Sequence, residues 1–253
     1  MTWKTIGQSV IGTSHLQNGK NCEDAGASRI HRLSNGEDVL VCFASDGAGS
    51  AAYAAEASTA AVSAAHEFTE ALLQDGRELT DGHLIALGEY IYDRLVELAA
   101  AIEVPKNEFS CTLLGCIITP KKSGFVQIGD GAIVRNDGSG HFTQIWWPYN
   151  GEYQNSTAFI IDDPSLALLQ YKVIDEPITE IAIFTDGLQQ LALNHVSMAV
   201  HQPFFAGLFP ALRRAENEEH LSILNSRLAD YLSGDIINNR TDDDKTLLLA
   251  TRE

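Results

Sequence analysis

The sequence predicts an α+β fold that contains antiparallel sheet. In the middle third of the chain, short apolar runs alternate with turn sequences at residues 120–124, 129–131 and 136–138. Strands joined by such short turns pair as antiparallel hairpins. Consecutive hairpins exclude a doubly wound parallel sheet. The helical part of the fold comes from long stretches outside this region.

Five stretches have helical patterns. Residues 51–68 are rich in Ala, the best helix former, and contain no Gly or Pro. In residues 81–102, Leu and Ile recur at spacings of three and four, with Asp81 as the predicted N-cap and Pro105 beyond the end. The other three predicted helices span residues 188–196, 203–215 and 219–232.

The predicted strands are apolar runs bounded by turn residues. Asn35-Gly36 predicts a hairpin between residues 28–33 and 39–44. Residues 3–12 are expected to form an outer strand, followed by a polar loop. The remaining predicted strands are residues 111–118, 125–128, 132–135, 181–184 and 246–250.

Composition is typical of a globular protein and limits the possible partners. The 253 residues are 45% hydrophobic and 20% charged, and no composition break marks a linker, so we expect one domain over residues 1–253. Acidic residues outnumber basic ones by 34 to 17, which gives a net charge of −17. This charge repels phosphate backbones and anionic lipid, so neither nucleic acid nor membrane is an expected partner.

The start of the chain lacks the apolar segment of a signal peptide, and no stretch reaches membrane-spanning length. The four cysteines show no CxxC spacing, and Cys42 and Cys116 lie in apolar runs, so we expect buried thiols in a reducing, cytoplasmic setting. His66 and His83 fall within helical patterns, where packing or surface roles are expected rather than metal ligation.

Two stretches, residues 39–47 and 181–187, share one pattern: an apolar run, a small hydroxyl residue, Asp-Gly and then a helical segment. Each predicts a buried strand with a carboxylate, Asp46 or Asp186, at its end. Asp-Gly is also a common turn dipeptide, but its repetition in this context favours a paired metal site. Asp130 is a third Asp that follows an apolar run and precedes Gly.

Further acidic residues stand beside predicted strands. Glu23 and Asp24 are adjacent, and Asp243 lies in an Asp run that enters the last strand; a solvated turn is the alternative for each. No His or Cys accompanies these carboxylates at metal-ligand spacing, and all-oxygen sites select Mg²⁺ or Mn²⁺ over zinc. The sequence contains no GxSxG elbow, CxxxxxR loop or P-loop, so two-metal hydrolysis is favoured over covalent catalysis or nucleotide binding.

Five motifs in order resemble the metal-dependent serine/threonine phosphatases of the protein phosphatase 2C family, and the stretches at residues 12–15 and 151–157 resemble a bacterial branch of it. The resemblance implies a four-layer α/β/β/α sandwich of two antiparallel sheets flanked by helices. It also implies two Mn²⁺ or Mg²⁺ ions and a third, weaker one. The five motifs are Glu23-Asp24-Ala25, Ser45-Asp46-Gly47-Ala48-Gly49, Gly129-Asp130-Gly131, Thr185-Asp186-Gly187 and Asp243-Asp244-Lys245-Thr246.

The resemblance assigns roles to these residues. Asp46 would bridge both ions, the Gly47 carbonyl would bind one, and Asp186 with Asp243 would hold the other. Glu23 and Asp24 would act mainly through coordinated waters, and Asp130 would bind the third ion. A bridging hydroxide would then attack phosphorus in line and displace the Ser or Thr oxygen of a phosphorylated protein. Some members of this branch are thought to act beside a partner serine/threonine kinase.

The sequence departs from the family at three places around the phosphate. Gly19 stands where relatives often carry a phosphate-binding Arg, which leaves Lys20 and His15 as the candidate cations. Ala48 replaces a His that could act as a general acid. Gly131-Ala132 replaces the Ser-Arg that follows Gly-Asp in many relatives.

Residues 139–177 form the least regular segment, and the aromatic stretch at residues 146–153 within it is typical of an exposed flap or of a plug at the end of a sheet. Three functions are carried forward: an active phosphoprotein phosphatase, a metal-binding pseudophosphatase that regulates by binding, and a hydrolase of small phosphate esters. Gly19 and Ala48 motivate the second.

Overall fold

The computed structural model describes residues 2–148, 157–162 and 165–252. Two five-stranded antiparallel sheets lie face to face. Sheet I has the order β1-β12-β9-β6-β7, and sheet II has the order β2-β3-β4-β5-β8. In sheet I the strands are β1 Trp3–Val10, β6 Ala132–Asn136, β7 Thr143–Gln144, β9 Glu180–Phe184 and β12 Lys245–Arg252. In sheet II they are β2 Asp24–Arg32, β3 Asp38–Asp46, β4 Leu113–Ile118, β5 Ser123–Ile128 and β8 Gln170–Ile174.

Two pairs of long helices cover the outer faces of the sheets. α2 (Ala54–Gln74) and α3 (Asp81–Ala101) pack on sheet II, and α6 (Gln202–Arg213) and α7 (Glu218–Leu232) pack on sheet I. The predicted four-layer sandwich is therefore confirmed. The shorter elements are α1 (Thr13–Gln17), α4 (Ser165–Leu168), α5 (Gln189–Ala192), α8 (Asp235–Asn238) and the small ribbon β10 (Leu193–Asn194) and β11 (Ala199–Val200). No helix within these residues is both long and apolar enough to cross a bilayer.

Strand β3 shows why the core strands are continuous apolar runs. Val39, Val41 and Phe43 face α2 and α3, whereas Leu40 and Cys42 alternate with them and face sheet I. Successive side chains of a strand point to opposite faces, and here both faces are covered. The hairpin predicted between residues 28–33 and 39–44 is present as β2 and β3, in full register.

The prediction that Cys42 and Cys116 are buried thiols is confirmed. All four cysteines are free, and Cys42 and Cys116 are buried partners on adjacent strands. His66 is buried in the layer between α2 and sheet II, where its ring packs edge-on against Phe43 at 5.2 Å. Its Nε2–H donates to the carbonyl of Ala27 at 3.2 Å, so this histidine has the expected packing role.

Several element boundaries differ from the sequence prediction. The helix predicted at residues 51–68 runs instead from 54 to 74, because residues 51–53 form a turn that packs beside the first Asp-Gly. Thr80, and not Asp81, caps α3: its hydroxyl accepts from the N–H of His83. The Asp81 carboxylate accepts instead from the N–H of Val173 at 2.9 Å, a contact that depends on the tertiary fold.

Three other segments differ in the same way. The first strand ends at Val10, and the polar loop after it begins with the short helix α1. The helix predicted at residues 188–196 stops at Ala192, because the chain then pairs as the ribbon of β10 and β11. The described part of residues 139–177 contributes β7 to sheet I and β8 to sheet II. Much of the aromatic stretch, and residues 151–156 of the branch motif, lie outside the described residues.

Candidate active site

One end of the sandwich gathers the acidic residues. Asp24 begins β2 and Asp46 ends β3, and the two are direct partners across the hairpin. Asp186 follows β9, while Asp243 precedes β12. Asp130 follows β5 in the turn to β6. Antiparallel pairing brings the end of one strand beside the start of the next, so these carboxylates lie together at one end of the two sheets.

Asp46, Asp130 and Asp186 form the centre of the site. Each offers a carboxylate oxygen, and the three oxygens lie within 4.8 Å of one another. Burial, followed by repulsion from Asp24 and other acidic neighbours, raises the pKa of Asp46 well above its usual value. The same causes, with Asp130 as the largest charge, raise the pKa of Asp186 to about 8. A cation between these groups would remove that repulsion.

Asp24 lies directly behind this cluster and bridges the two sheets. Its Oδ2 accepts hydrogen bonds from the hydroxyls of Thr185 at 2.7 Å and Thr246 at 2.9 Å. Burial raises the pKa of Asp24 to about 7, although both hydroxyl contacts act in the opposite direction. Its Oδ1 is buried and has no hydrogen-bond partner among the described residues.

Glu23 stands on the open side of the site. Its Oε1 accepts from Lys20 Nζ at 3.0 Å, whereas its buried Oε2 has no hydrogen-bond partner within the described part of the chain. Lys20 Nζ also donates to the carbonyl of Gly49 at 3.4 Å. The candidate cation Lys20 is therefore placed at the rim, where its side chain is 41% exposed.

The backbone around Gly47 holds the first Asp-Gly in place. The Gly47 N–H donates to the carbonyl of Glu23 at 3.0 Å, and a β-bridge joins Gly47 to Cys111. Thr112 clamps Asp46, because its hydroxyl accepts from the Asp46 N–H at 2.9 Å while its own N–H donates to the Asp46 carbonyl at 2.8 Å.

Asp130 is held by two residues that the sequence analysis did not single out. Its Oδ2 accepts from the Thr157 hydroxyl at 2.7 Å. Its carbonyl accepts from the Gln189 side-chain amide. Thr157 lies at the end of the branch motif at residues 151–157, and Gln189 follows the second Asp-Gly, but neither position carries a local signal for a contact with Asp130.

Asp243 lies outside the cluster of three carboxylates. It is exposed, and its carboxylate accepts from the N–H of Asp244 at 2.8 Å. Its neighbour Asp244 points inward and contacts His15 Nδ1 at 2.9 Å. The structure thus groups Asp186 with Asp46 and Asp130, and it places Asp243 and His15 on the neighbouring wall.

Gly19 sits at a position that disfavours a side chain. Its φ of 66° lies in the left-handed region, which L-residues other than Asn and Asp rarely occupy. The chain makes this turn directly after α1, so the Arg found here in many relatives would be strained. The backbone conformation at position 19 therefore favours Gly over Arg in this chain.

The donor set fits hard divalent cations. It combines three converging carboxylates, Asp46, Asp130 and Asp186, with one buried oxygen each of Glu23 and Asp24 that has no hydrogen-bond partner among the residues the structure describes. Buried carboxylate oxygens without donors are unfavourable unless a proton or a cation accompanies them. Mg²⁺ and Mn²⁺ prefer oxygen ligands of this kind.

A family model and a curated relative both match this chain over most of its length. A family model described as protein phosphatase 2C matches residues 11–233. Serine/threonine-protein phosphatase 3 of Escherichia coli (strain K12) is 37% identical over 252 residues, which cover 99% of this chain and 98% of that protein.

Two solved structures show the same fold. A bacterial serine phosphatase superposes with a TM-score of 0.62 at 16% identity, and the superposition covers 100% of this chain and 98% of the phosphatase chain. The serine/threonine phosphatase Stp1 from Staphylococcus aureus superposes with a TM-score of 0.60 at 16% identity, covering 100% and 96%.

Proposed function

Because the chain belongs to the protein phosphatase 2C family of serine/threonine phosphatases, we propose that it hydrolyses phosphoserine and phosphothreonine in proteins with Mn²⁺ or Mg²⁺ as cofactor. The observation that carries this proposal is the convergence of Asp46, Asp130 and Asp186 at one end of the sandwich. One oxygen each of Glu23 and Asp24, without a hydrogen-bond partner in the described part of the chain, supports the same cofactor.

The proposed metal ligands are the residues that the family resemblance assigns. Asp46 would serve both of two ions, the Gly47 carbonyl would bind one of them, Asp186 and Asp243 would hold the other, and Asp130 would serve a third. Glu23 and Asp24 would orient coordinated waters. When bound, such ions lower the pKa of water and neutralise charge on a phosphoryl group.

Basic side chains at the rim are proposed to bind the phosphate group of the substrate. Lys20 and His15 both contact Glu23, at 3.0 Å and 3.6 Å. A phosphate dianion entering an acidic site needs compensating positive charge and hydrogen-bond donors. We assign these two residues to the phosphate oxygens. Lys20 offers a point charge and not the two-pronged contact of Arg, so the geometry differs from that of relatives with Arg.

The proposed substrate is a phosphorylated protein, and the reaction would oppose a serine/threonine kinase. Water would replace the Ser or Thr oxygen at phosphorus, and the products would be inorganic phosphate and the free hydroxyl. The acidic surface, with a net charge of −17, supports partners other than nucleic acid or anionic membranes.

A second candidate is a metal-binding pseudophosphatase that regulates by binding. Ala48, which stands in place of the family's His, is buried with Ala51 and Ala54 in a small apolar cluster. Because Ala has no polar side-chain atom, position 48 cannot donate a proton to the leaving oxygen. Hydrolysis of small phosphate esters is the remaining alternative.

The test measures hydrolysis of a phosphothreonine peptide with Mn²⁺, Mg²⁺ or EDTA, for wild type and Asp46→Asn. Asp93→Asn, an exposed position on α3, is the matched control. The proposal expects metal-dependent turnover that Asp46→Asn loses and Asp93→Asn keeps. Wild type that binds Mn²⁺ in calorimetry without turnover would favour the pseudophosphatase. Faster turnover of small esters than of phosphopeptides would favour the third function.

A further inference from the structure

Thr112 is a buried residue that touches the backbone at two points of the carboxylate cluster. It directly precedes β4 and is 1% exposed. Its hydroxyl is hydrogen-bonded to the backbone of Asp46, and its methyl group packs against Gly129, the residue before Asp130. A single side chain therefore contacts both of the segments that carry Asp46 and Asp130.

The contact with Asp46 replaces one bond of the strand ladder. The register of β3 with β4 places Ala44 opposite Leu114, so Asp46 stands opposite Thr112. Residues in a hydrogen-bonded antiparallel pair exchange two backbone bonds. Here the Thr112 N–H donates to the Asp46 carbonyl at 2.8 Å, but the Asp46 N–H donates to the Thr112 hydroxyl at 2.9 Å. The Thr112 carbonyl accepts instead from the Ser45 hydroxyl at 2.6 Å. The Asp46 N–H thus depends on a hydroxyl at position 112.

The contact with the turn that carries Asp130 is made by the methyl group of Thr112. A Cβ on Gly129 would lie 2.5 Å from the Thr112 methyl carbon and 2.6 Å from its Cβ. The absence of a side chain at Gly129 therefore lets the turn rest directly on Thr112. The φ of 110° at Gly129 also favours glycine.

The opposite side of the same turn rests on sheet I. A Cβ on Gly131 would lie 2.6 Å from the last carbonyl oxygen of β9 and 3.3 Å from the Cα of Thr185. Thr185 directly precedes Asp186. The turn that carries Asp130 is therefore wedged between Thr112 and the strand end that leads to Asp186.

We propose that Thr112 is a positioning residue that sets Asp46 and Asp130 at the separation required to bind divalent cations. The inference rests on the proposed function. Asp46 and Asp130 repel each other when no cation lies between them. A neutral side chain that holds both backbones keeps the cluster from opening. The hydroxyl of Thr112 fixes Asp46, and the methyl group supports the turn that carries Asp130.

The first test removes the hydroxyl of Thr112 and keeps its shape. Thr112→Val leaves the Asp46 N–H without a partner, and Mn²⁺ affinity, measured by calorimetry on the metal-free protein, should fall about 10- to 100-fold. Thr69→Val is the matched control. Thr69 is buried on α2, its hydroxyl donates to the Ala65 carbonyl at 2.8 Å, and it lies about 20 Å along the helix from Ala54.

The control separates a positioning role from a general loss of stability. Both variants remove one buried hydroxyl, but only Thr112→Val should weaken Mn²⁺ binding. A folded Thr112→Val protein with the Mn²⁺ affinity of wild type would overturn the proposal. Equal losses of Mn²⁺ affinity in Thr112→Val and Thr69→Val would also overturn it, because affinity would then follow stability alone.

The second test removes the methyl group and keeps the hydroxyl. Thr112→Ser leaves a gap beneath Gly129, so its effect should be exerted through Asp130. Thr112→Ser and Asp130→Asn should each weaken Mn²⁺ binding, and the double variant should bind no more weakly than the worse single variant. Losses that multiply in the double variant would show that Thr112 acts independently of Asp130 and would overturn the proposal.

The two tests also separate this inference from the proposed function. If Thr112→Val does not fold, the cycle of Thr112→Ser with Asp130→Asn still decides. Wild type that neither binds Mn²⁺ nor hydrolyses a phosphothreonine peptide would overturn the proposed function itself. Wild type that does both, beside a Thr112→Val protein with equal Mn²⁺ affinity, would overturn only the inference on Thr112.

Discussion

The Asp24 carboxylate accepts a hydrogen bond from the Thr185 hydroxyl at 2.7 Å. Asp24 begins β2 of sheet II, whereas Thr185 directly follows β9 of sheet I. Thr185 Oγ1 in turn accepts from the N–H of Thr246 at 2.9 Å, and the Thr246 hydroxyl returns to Asp24. This buried hydrogen-bond network links the two sheets at their strand ends, directly behind the carboxylate cluster. The relative position of Asp46 and Asp186 therefore depends on it.

Thr185→Val tests this network. Val has the shape of Thr but lacks the hydroxyl, so the Asp24 oxygen and the Thr246 N–H each lose a partner in a buried setting. The free energy of unfolding should fall by about 1–3 kcal/mol, measured by urea denaturation. Activity should fall as well, because Asp186 is the next residue. Thr59→Val, at an exposed position on α2, should change stability by less than about 0.5 kcal/mol; equal losses in both variants would contradict the prediction.

Asp186→Asn should make the metal-free protein more stable while abolishing phosphatase activity. Burial and carboxylate neighbours raise the pKa of Asp186 to about 8, and each unit of such a shift corresponds to about 1.4 kcal/mol that the charged form costs. A neutral amide removes this cost. Thermal unfolding in EDTA should therefore occur at a higher temperature than in wild type, and the stabilisation by Mn²⁺ should largely disappear. A lower melting temperature in EDTA would contradict the electrostatic account.

The same carboxylates determine how stability depends on pH without metal. The pKa values of Asp24 and Asp186 are raised from 3.8 to about 7 and about 8, so between these limits the folded protein binds more protons than the unfolded chain. Stability in EDTA should therefore fall as pH rises from about 4 to about 8. Mn²⁺ must displace those protons, so its affinity should increase over the same window. Urea denaturation with EDTA and calorimetry with Mn²⁺ measure the two effects, and Asp186→Asn should weaken both.

His66 contributes the opposite dependence. Burial lowers the pKa of His66 from 6.5 to about 4, so the folded protein holds this ring neutral where the unfolded chain would protonate it. The free energy of unfolding is therefore unaffected by His66 above pH 6.5 and falls, by up to about 3 kcal/mol, as the pH is lowered towards 4. His66→Gln can still donate to the Ala27 carbonyl but does not titrate. The free energy of unfolding of His66→Gln, relative to that of wild type, should increase as the pH falls from 7 to 4.5. The same comparison for His141→Gln, at an exposed position, should show a smaller increase.

Local sequence patterns were sufficient for the parts of the site that follow strands. Asp46 and Asp186 each come at the end of an apolar run with a turn-permitting Gly, and the structure places both at the same end of the sandwich. The α/β/β/α layering came from the family resemblance, and the hairpins in the middle third indicated the antiparallel pairing.

Helix ends were less predictable than helix positions. The periodic Leu and Ile of α3 placed this helix correctly to within one residue at its end, since they form one buried face. Its N-cap was wrongly predicted as Asp81, because Asp and Thr are both good caps and the choice depends on the contact of Asp81 with Val173 in β8.

The sequence by itself determined which residues become strands with a carboxylate at the end, because burial on both faces requires apolar runs and Asp-Gly ends them. Only the tertiary structure decided which groups meet there. Thr185 reaches Asp24 across 161 residues, and Asp244 reaches His15 across 229. Contacts over such separations leave no local pattern, because they exist only once the two sheets have packed and have removed these polar groups from water.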